Sequence, residues 1–87
     1  MSMIKLDIEF SSMGETTESQ AKIFAVEIQQ RIQSEYPDSL VRVDIVFSGF
    51  GGLSVIADSC DEHDEITERV NDIQRDVWDD GAWRNAA

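Results

Sequence analysis

The chain has 87 residues, a 41% hydrophobic fraction and a formal charge of −11. That suits one small domain with one core, burying about 60–65% of the surface its unfolded chain exposes. Eighteen acids against seven basic residues argue against direct binding to nucleic acid or an anionic membrane, and for a basic partner.

Cys60 is the single cysteine, so no disulfide framework within the chain is expected, which suits a reducing cytoplasm. The first residues, MSMIKLDIEF, alternate apolar and polar side chains. They lack the basic start and continuous apolar run of a secretory leader. No stretch approaches the ~20 apolar residues of a membrane-spanning helix. Residues 1–87 are expected to form a single domain, with no repeat and no linker.

Ile4, Leu6, Ile8 and Phe10 alternate with Lys5, Asp7 and Glu9, which predicts a strand with one buried face. Ser11 to Thr17 reads as a polar connection, and Thr17 with Gln20 has the spacing of a capping box. A helix is predicted from there to about Tyr36. Ala21, Phe24, Ala25, Ile28 and Ile32 form its inward stripe. Pro37 ends it, because the residue before proline avoids helical geometry. Ile23 and Val26 project outward on this wheel, as scattered surface residues or a patch for a second copy.

Val41, Val43, Ile45 and Phe47 predict the inward face of a second strand, with Arg42 and Asp44 outward. The run SGFGG, Ser48 to Gly52, reads as a flexible hairpin connection with Phe50 at its tip. Leu53, Val55 and Ala57 give a short third strand. The order is β-α-β-β-α. Each element has one apolar face, so an α+β domain of two layers follows: a three-stranded mixed sheet with both helices on one face. A right-handed crossover is expected between strands 1 and 2 if they are parallel. Strand order is not determined by the pattern.

The chain is organised around its last helix, Asp61 to Asp80, with Ser59 or Asp61 as N-cap and Gly81 as the C′ residue. Ile66, Val70, Ile73 and Val77 form its buried stripe. At about 100° per residue, Asp61, Glu65, Glu68, Asp72, Asp76 and Asp79 fall on the opposite side. Successive carboxylates at i, i+4 lie roughly 6 Å apart along the axis. From Asp58 to Asp80 there are ten acids and two arginines, a net −8 of the −11.

Stability alone does not select such a ridge. Like charges at i, i+4 are destabilising by a few tenths of a kcal/mol, about 0.2–0.5 per pair. Asp79 and Asp80 also sit at the negative end of the helix dipole, at a cost of about 0.3–1 kcal/mol each. A solvated acidic surface explains part of this; acids placed against the dipole point to a binding role.

Catalytic chemistry finds little support. His63 is the single histidine, and with Cys60 and nearby acids it lacks the second His or Cys of a closed zinc site. Gly49, Gly51 and Gly52 are followed by no Lys-Ser or Lys-Thr, so no phosphate-binding loop is expected. The serines have no nearby base, and Cys60 has no positive neighbour in sequence to activate it. No enzyme, metal or cofactor is expected. Trp78 lies at the edge of the buried stripe. Trp83, beyond Gly81, either packs back or is exposed as a contact residue.

Several segments together resemble a known family. They are Arg31-Ile32-Gln33, Tyr36-Pro37-Asp38, Leu53-Ser54-Val55-Ile56, Arg69-Val70-Asn71-Asp72-Ile73 and Asp76-Val77-Trp78-Asp79. In order and spacing, over about residues 20–83, they resemble the DinI-like family. The resemblance implies a β-α-β-β-α domain from a bacterium or prophage, induced by DNA damage. It implies binding to the RecA recombinase filament on single-stranded DNA, and modulation of its coprotease activity in the SOS response. The contact surface would be an acidic C-terminal helix that imitates the DNA backbone. The matching positions here are Glu68, Asp72, Asp76 and Asp79, with Asp64, Glu65 and Asp80 as added charges. Arg75 departs from that pattern and can pair with Asp72 or Asp79. Related domains imply another role, as phage antirepressors or virulence-associated proteins with a different basic partner. A monomer is expected.

Overall fold

The computed structural model describes residues 2–85. Its elements run β1 (Met3–Glu9), α1 (Glu18–Glu35), β2 (Leu40–Val46), β3 (Gly52–Ile56) and α2 (Cys60–Asp80), with single 3-10 turns at Phe10–Met13 and Ala82–Arg84. The sheet order is β2-β1-β3. β1 is central, parallel to β2 and antiparallel to β3. Ile4, Leu6 and Ile8 of β1 are buried, and so are Ala21, Phe24, Ala25, Ile28 and Ile32 of α1. With Ile66, Val70, Ile73 and Val77 of α2 they make one core. The domain is therefore the two-layer α+β sandwich that the apolar periodicities dictate.

The helix ends follow local chemistry. The Gln20 amide donates to the Thr17 hydroxyl oxygen at 3.1 Å, and the Thr17 amide donates to Gln20 Oε1 at 3.0 Å. This completes the capping box and satisfies two N-terminal donors. Ser59 caps α2 by accepting from the Glu62 amide at 3.1 Å. Gly81 closes α2 at φ +71, the left-handed region a glycine enters without penalty.

Placement of the strands differs from the hairpin expected for SGFGG. β2 and β3 are the two edges of the sheet, and the connection between them passes over the end of β1. A Cβ on Gly51 would stand 2.7 Å from the Asp7 carbonyl oxygen and 3.0 Å from the Glu9 amide nitrogen. The glycine allows the chain to press against the central strand. Gly49, at φ +96, makes the preceding turn.

Other differences are local. β1 ends at Glu9, and Phe10 opens a 3-10 turn rather than continuing the strand. Within the connection expected to be polar, Met13 turns into the core. Phe47 lies beyond β2 and is 54% exposed, its ring 5.1 Å from that of Phe10. Ile23 is half-buried against the core instead of facing outward, whereas Val26 is exposed. The open sheet face carries Lys5, Asp7, Glu9, Arg42 and Asp44, as the alternation implies. It also carries a row absent from that expectation. Met3 is register partner to both Leu40 and Ile56. All three are exposed.

Candidate functional site: the acidic helix and its flank

α2 is held as a rigid platform by its four buried residues, which leaves its other surfaces to carry charge. The seven acids expected to contact a partner do not form one uniform row. Glu65, Glu68 and Asp72 line an open groove of about 380 Å³, with Glu35 and Tyr36 from the end of α1 and Arg69 of α2 itself. Asp76 and Asp79 are exposed further along the helix. Asp80 leans toward α1, its Oδ2 3.8 Å from an Arg31 nitrogen. Asp64 lies at the other end of the helix, 3.4 Å from His63 Nδ1.

Two cations interrupt the ridge. Arg75 donates to Asp72 Oδ1 at 3.0 Å, so of its two possible partners it takes the one a turn earlier. Arg69 Nε donates to both carboxylate oxygens of Glu35 at 2.8 Å each. That bond, first, and the Glu35 charge raise the Arg69 pKa, with Asp72 and Asp76 adding to the effect. Arg31 donates to Glu27 at 2.9 Å on α1. Exposed pairs of this kind add little stability. Their effect is on the surface pattern: a carboxylate facing an arginine presents less charge to a partner.

The groove also holds the one phenol of the chain. Partial burial pushes the Tyr36 pKa up, and the nearby carboxylates of Glu65 and Glu35 push it the same way; Arg69 opposes them. In the sequence Tyr36 stands in one motif and Arg69 with Asp72 in another, Asp72 being also an expected contact residue. The fold brings them to one place. Glu35 was not singled out, since nothing in the spacing of an α1 residue shows that it meets α2.

Both tryptophans build the far end of the helix. Trp83 is 3% exposed and so packs back into the core. Its ring lies 4.8 Å from Phe24 and 5.3 Å from Trp78. The Arg84 guanidinium sits 4.6 Å from the Trp78 ring centre and 4.4 Å from that of Trp83. Gln20 Nε2 donates to the Arg84 carbonyl oxygen at 2.8 Å, tying the chain beyond α2 to the start of α1. Asp79 and Asp80 thus stand on an anchored helix end rather than a fraying one.

Among the described residues, no three His, Cys, Asp or Glu side chains are gathered in a way that could hold a metal ion. No helix in that range is long and apolar enough to cross a membrane. No protein-family model matches the chain, and no curated protein matches it. The arrangement offers charge in a fixed pattern on a convex surface, with a shallow groove between its acids and the end of α1.

Proposed function

We propose that this protein is a non-catalytic modulator of the RecA recombinase filament in the bacterial response to DNA damage, acting in the cytoplasm through α2. The observation that carries the reading is the acid face of that helix. Carboxylates at Glu65, Glu68, Asp72, Asp76 and Asp79 ride on a helix whose opposite side is fixed by Ile66, Val70, Ile73 and Val77. Such spacing can address a basic surface that ordinarily holds phosphates. The resemblance to the DinI-like family supplies the identity of that surface. Convergence of Tyr36, Arg69 and Asp72, from two of the resembling segments, on one groove supports it.

The mechanism follows from electrostatics. A basic filament surface draws in the acidic helix over roughly a Debye length, about 8–10 Å at ordinary salt. Final affinity then depends on which carboxylates lack an arginine. Glu65, Glu68, Asp76 and Asp79 carry most of the contact; Asp72 and Asp80 contribute less, because Arg75 and Arg31 stand beside them.

The test is co-sedimentation with RecA filaments on single-stranded DNA across a salt series. Retention should fall as salt rises. The double variant Glu68→Lys with Asp76→Lys should bind at least about tenfold more weakly, a change of about 1.4 kcal/mol or more, with its circular dichroism unchanged. Equal binding by that variant at low salt would remove the ridge from the mechanism. No binding at any salt would move the acidic helix to a different basic partner, such as a repressor.

A further inference from the structure

The two edges of the sheet are treated differently. On β2, the Val43 amide donates to Gln29 Oε1 of α1 at 3.0 Å, and Arg42 and Asp44 pair along the exposed face of the strand at 2.7 Å. A side chain bonded to an edge amide and charges placed on the strand both discourage pairing with another chain. β3, with the sequence GLSVI, carries neither device among the described residues. It has no lysine, proline or charged side chain, and its outer edge offers free backbone donors and acceptors over about 17 Å.

The surroundings of that edge give it a polarity. Leu53, Val55 and Ala57 are only half-buried on the helix side, packed against the margin of the core. At one end of the strand, Leu53 with Asn71 and Gln74 of α2 lines an open groove that Phe50 also borders. Phe50 is 94% exposed, a large apolar ring with nothing over it. At the other end, Val55 and Ile56 lie in a second groove of about 570 Å³ with Asp58, His63 and Asp64. On the open face, Ile56 ends the apolar row that runs through Met3 to Leu40.

We propose that the outer edge of β3 is a docking site for an extended protein segment, which adds as a fourth strand. The occupant has alternating apolar side chains, a basic end beside Asp58 and Asp64, and an apolar end beside Phe50. Main-chain bonds to the edge supply affinity, and the two ends set direction and preference. A second copy of the chain fits less well, since copies carrying −11 each repel. The assignment does not depend on RecA as partner of α2.

The experiment is amide NMR of the full chain, titrated with a synthetic eight-residue peptide that begins with two lysines, alternates threonine and valine, and ends in phenylalanine. Laid antiparallel to β3, that order puts the lysines beside Asp58 and Asp64. Shift changes and slowed amide exchange should concentrate on residues 52–56. N-methylation of alternate peptide residues in one register should weaken binding about tenfold or more, and in the other register leave it nearly unchanged, because a strand turns only every second amide to its neighbour. Glutamates in place of the lysines should weaken binding about tenfold at low salt. Phe50→Ser should weaken it severalfold without lowering the melting temperature. The assignment is overturned if millimolar peptide moves no β3 amide, or if N-methylation is equally tolerated in both registers. It is also overturned if sedimentation without peptide gives twice the chain mass with the β3 amides already protected, since a second copy would then cover the edge.

Discussion

The indole of Trp83 donates through Nε1 to the backbone oxygen of Val77 at 3.1 Å. The same oxygen accepts the Gly81 amide at 3.2 Å. The last carbonyls of a helix lack partners within it. Here a residue six positions on turns back to serve one, and fills the core beside Phe24 in doing so. Trp83→Phe keeps most of the ring and loses the bond, so it should destabilise by about 1 kcal/mol. Trp83→Ala also leaves a cavity and should cost about 3–5 kcal/mol. Urea unfolding of both variants checks the order. No loss in Trp83→Phe would mean that the bond contributes nothing, and equal losses would mean that the ring adds nothing beyond it.

Tyr36 gives a pH dependence of known sign. Its pKa in the folded chain is raised, so the folded state holds the phenol proton to higher pH than the unfolded state does. The associated stability is fully present below the ordinary phenol value of about 10, and is lost as pH rises through the folded value. Absorbance at alkaline pH reads this directly, because the chain has one tyrosine. Glu65→Gln should bring the titration part of the way back toward the ordinary value; burial, the larger cause, remains.

The connection over β1 predicts an asymmetry between neighbouring glycines. Gly51→Ala forces a methyl against the backbone of Asp7 and Glu9 and should destabilise by about 1–3 kcal/mol. A Cβ on Gly52 meets nothing within 4 Å, so Gly52→Ala should be close to neutral. Thermal melts of the pair separate them; a hairpin between β2 and β3 would give no such difference.

The buried stripe of α2 is tested by charge. Val70 is 0% exposed and Ile73 2%. Val70→Asp or Ile73→Asp places an unpaired carboxylate among apolar groups, at a cost of several kcal/mol, about 2–7 on transfer scales. A domain of this size cannot absorb that, and calorimetry should find no cooperative transition at the original temperature. Glu68→Lys, on the exposed side, should melt where the parent does.

Much of this fold is legible in the residues themselves. Ile66, Val70, Ile73 and Val77 mark the inner side of α2 by spacing alone, and Thr17 with Gln20 marks the start of α1. These are short-range facts, set by the pitch of a helix and the reach of a side chain. Strand order is of another kind. β3 pairs with β1 instead of β2, and the sequence signal of a glycine-rich turn is the same for a hairpin as for a chain crossing a strand end. Phe47 leaves the inward face for a related reason, since a side chain just past a strand is directed by what the turn packs on and not by period two; Met13, in a connection that reads as polar, turns into the core at the end of the 3-10 turn.

The sequence determined that one side of α2 would be buried and the other acidic, because periodicity and charge are properties of the chain. It left open which acids remain unopposed. The tertiary structure decided that, by setting Glu35 against Arg69 and Arg31 near Asp80. Those partners are distant in sequence, and an electrostatic surface depends on distances that only the folded chain defines. The same holds for the sheet edges: Gln29 closes β2 while β3 stays open, since a side chain's reach across space is not written in its position along the chain.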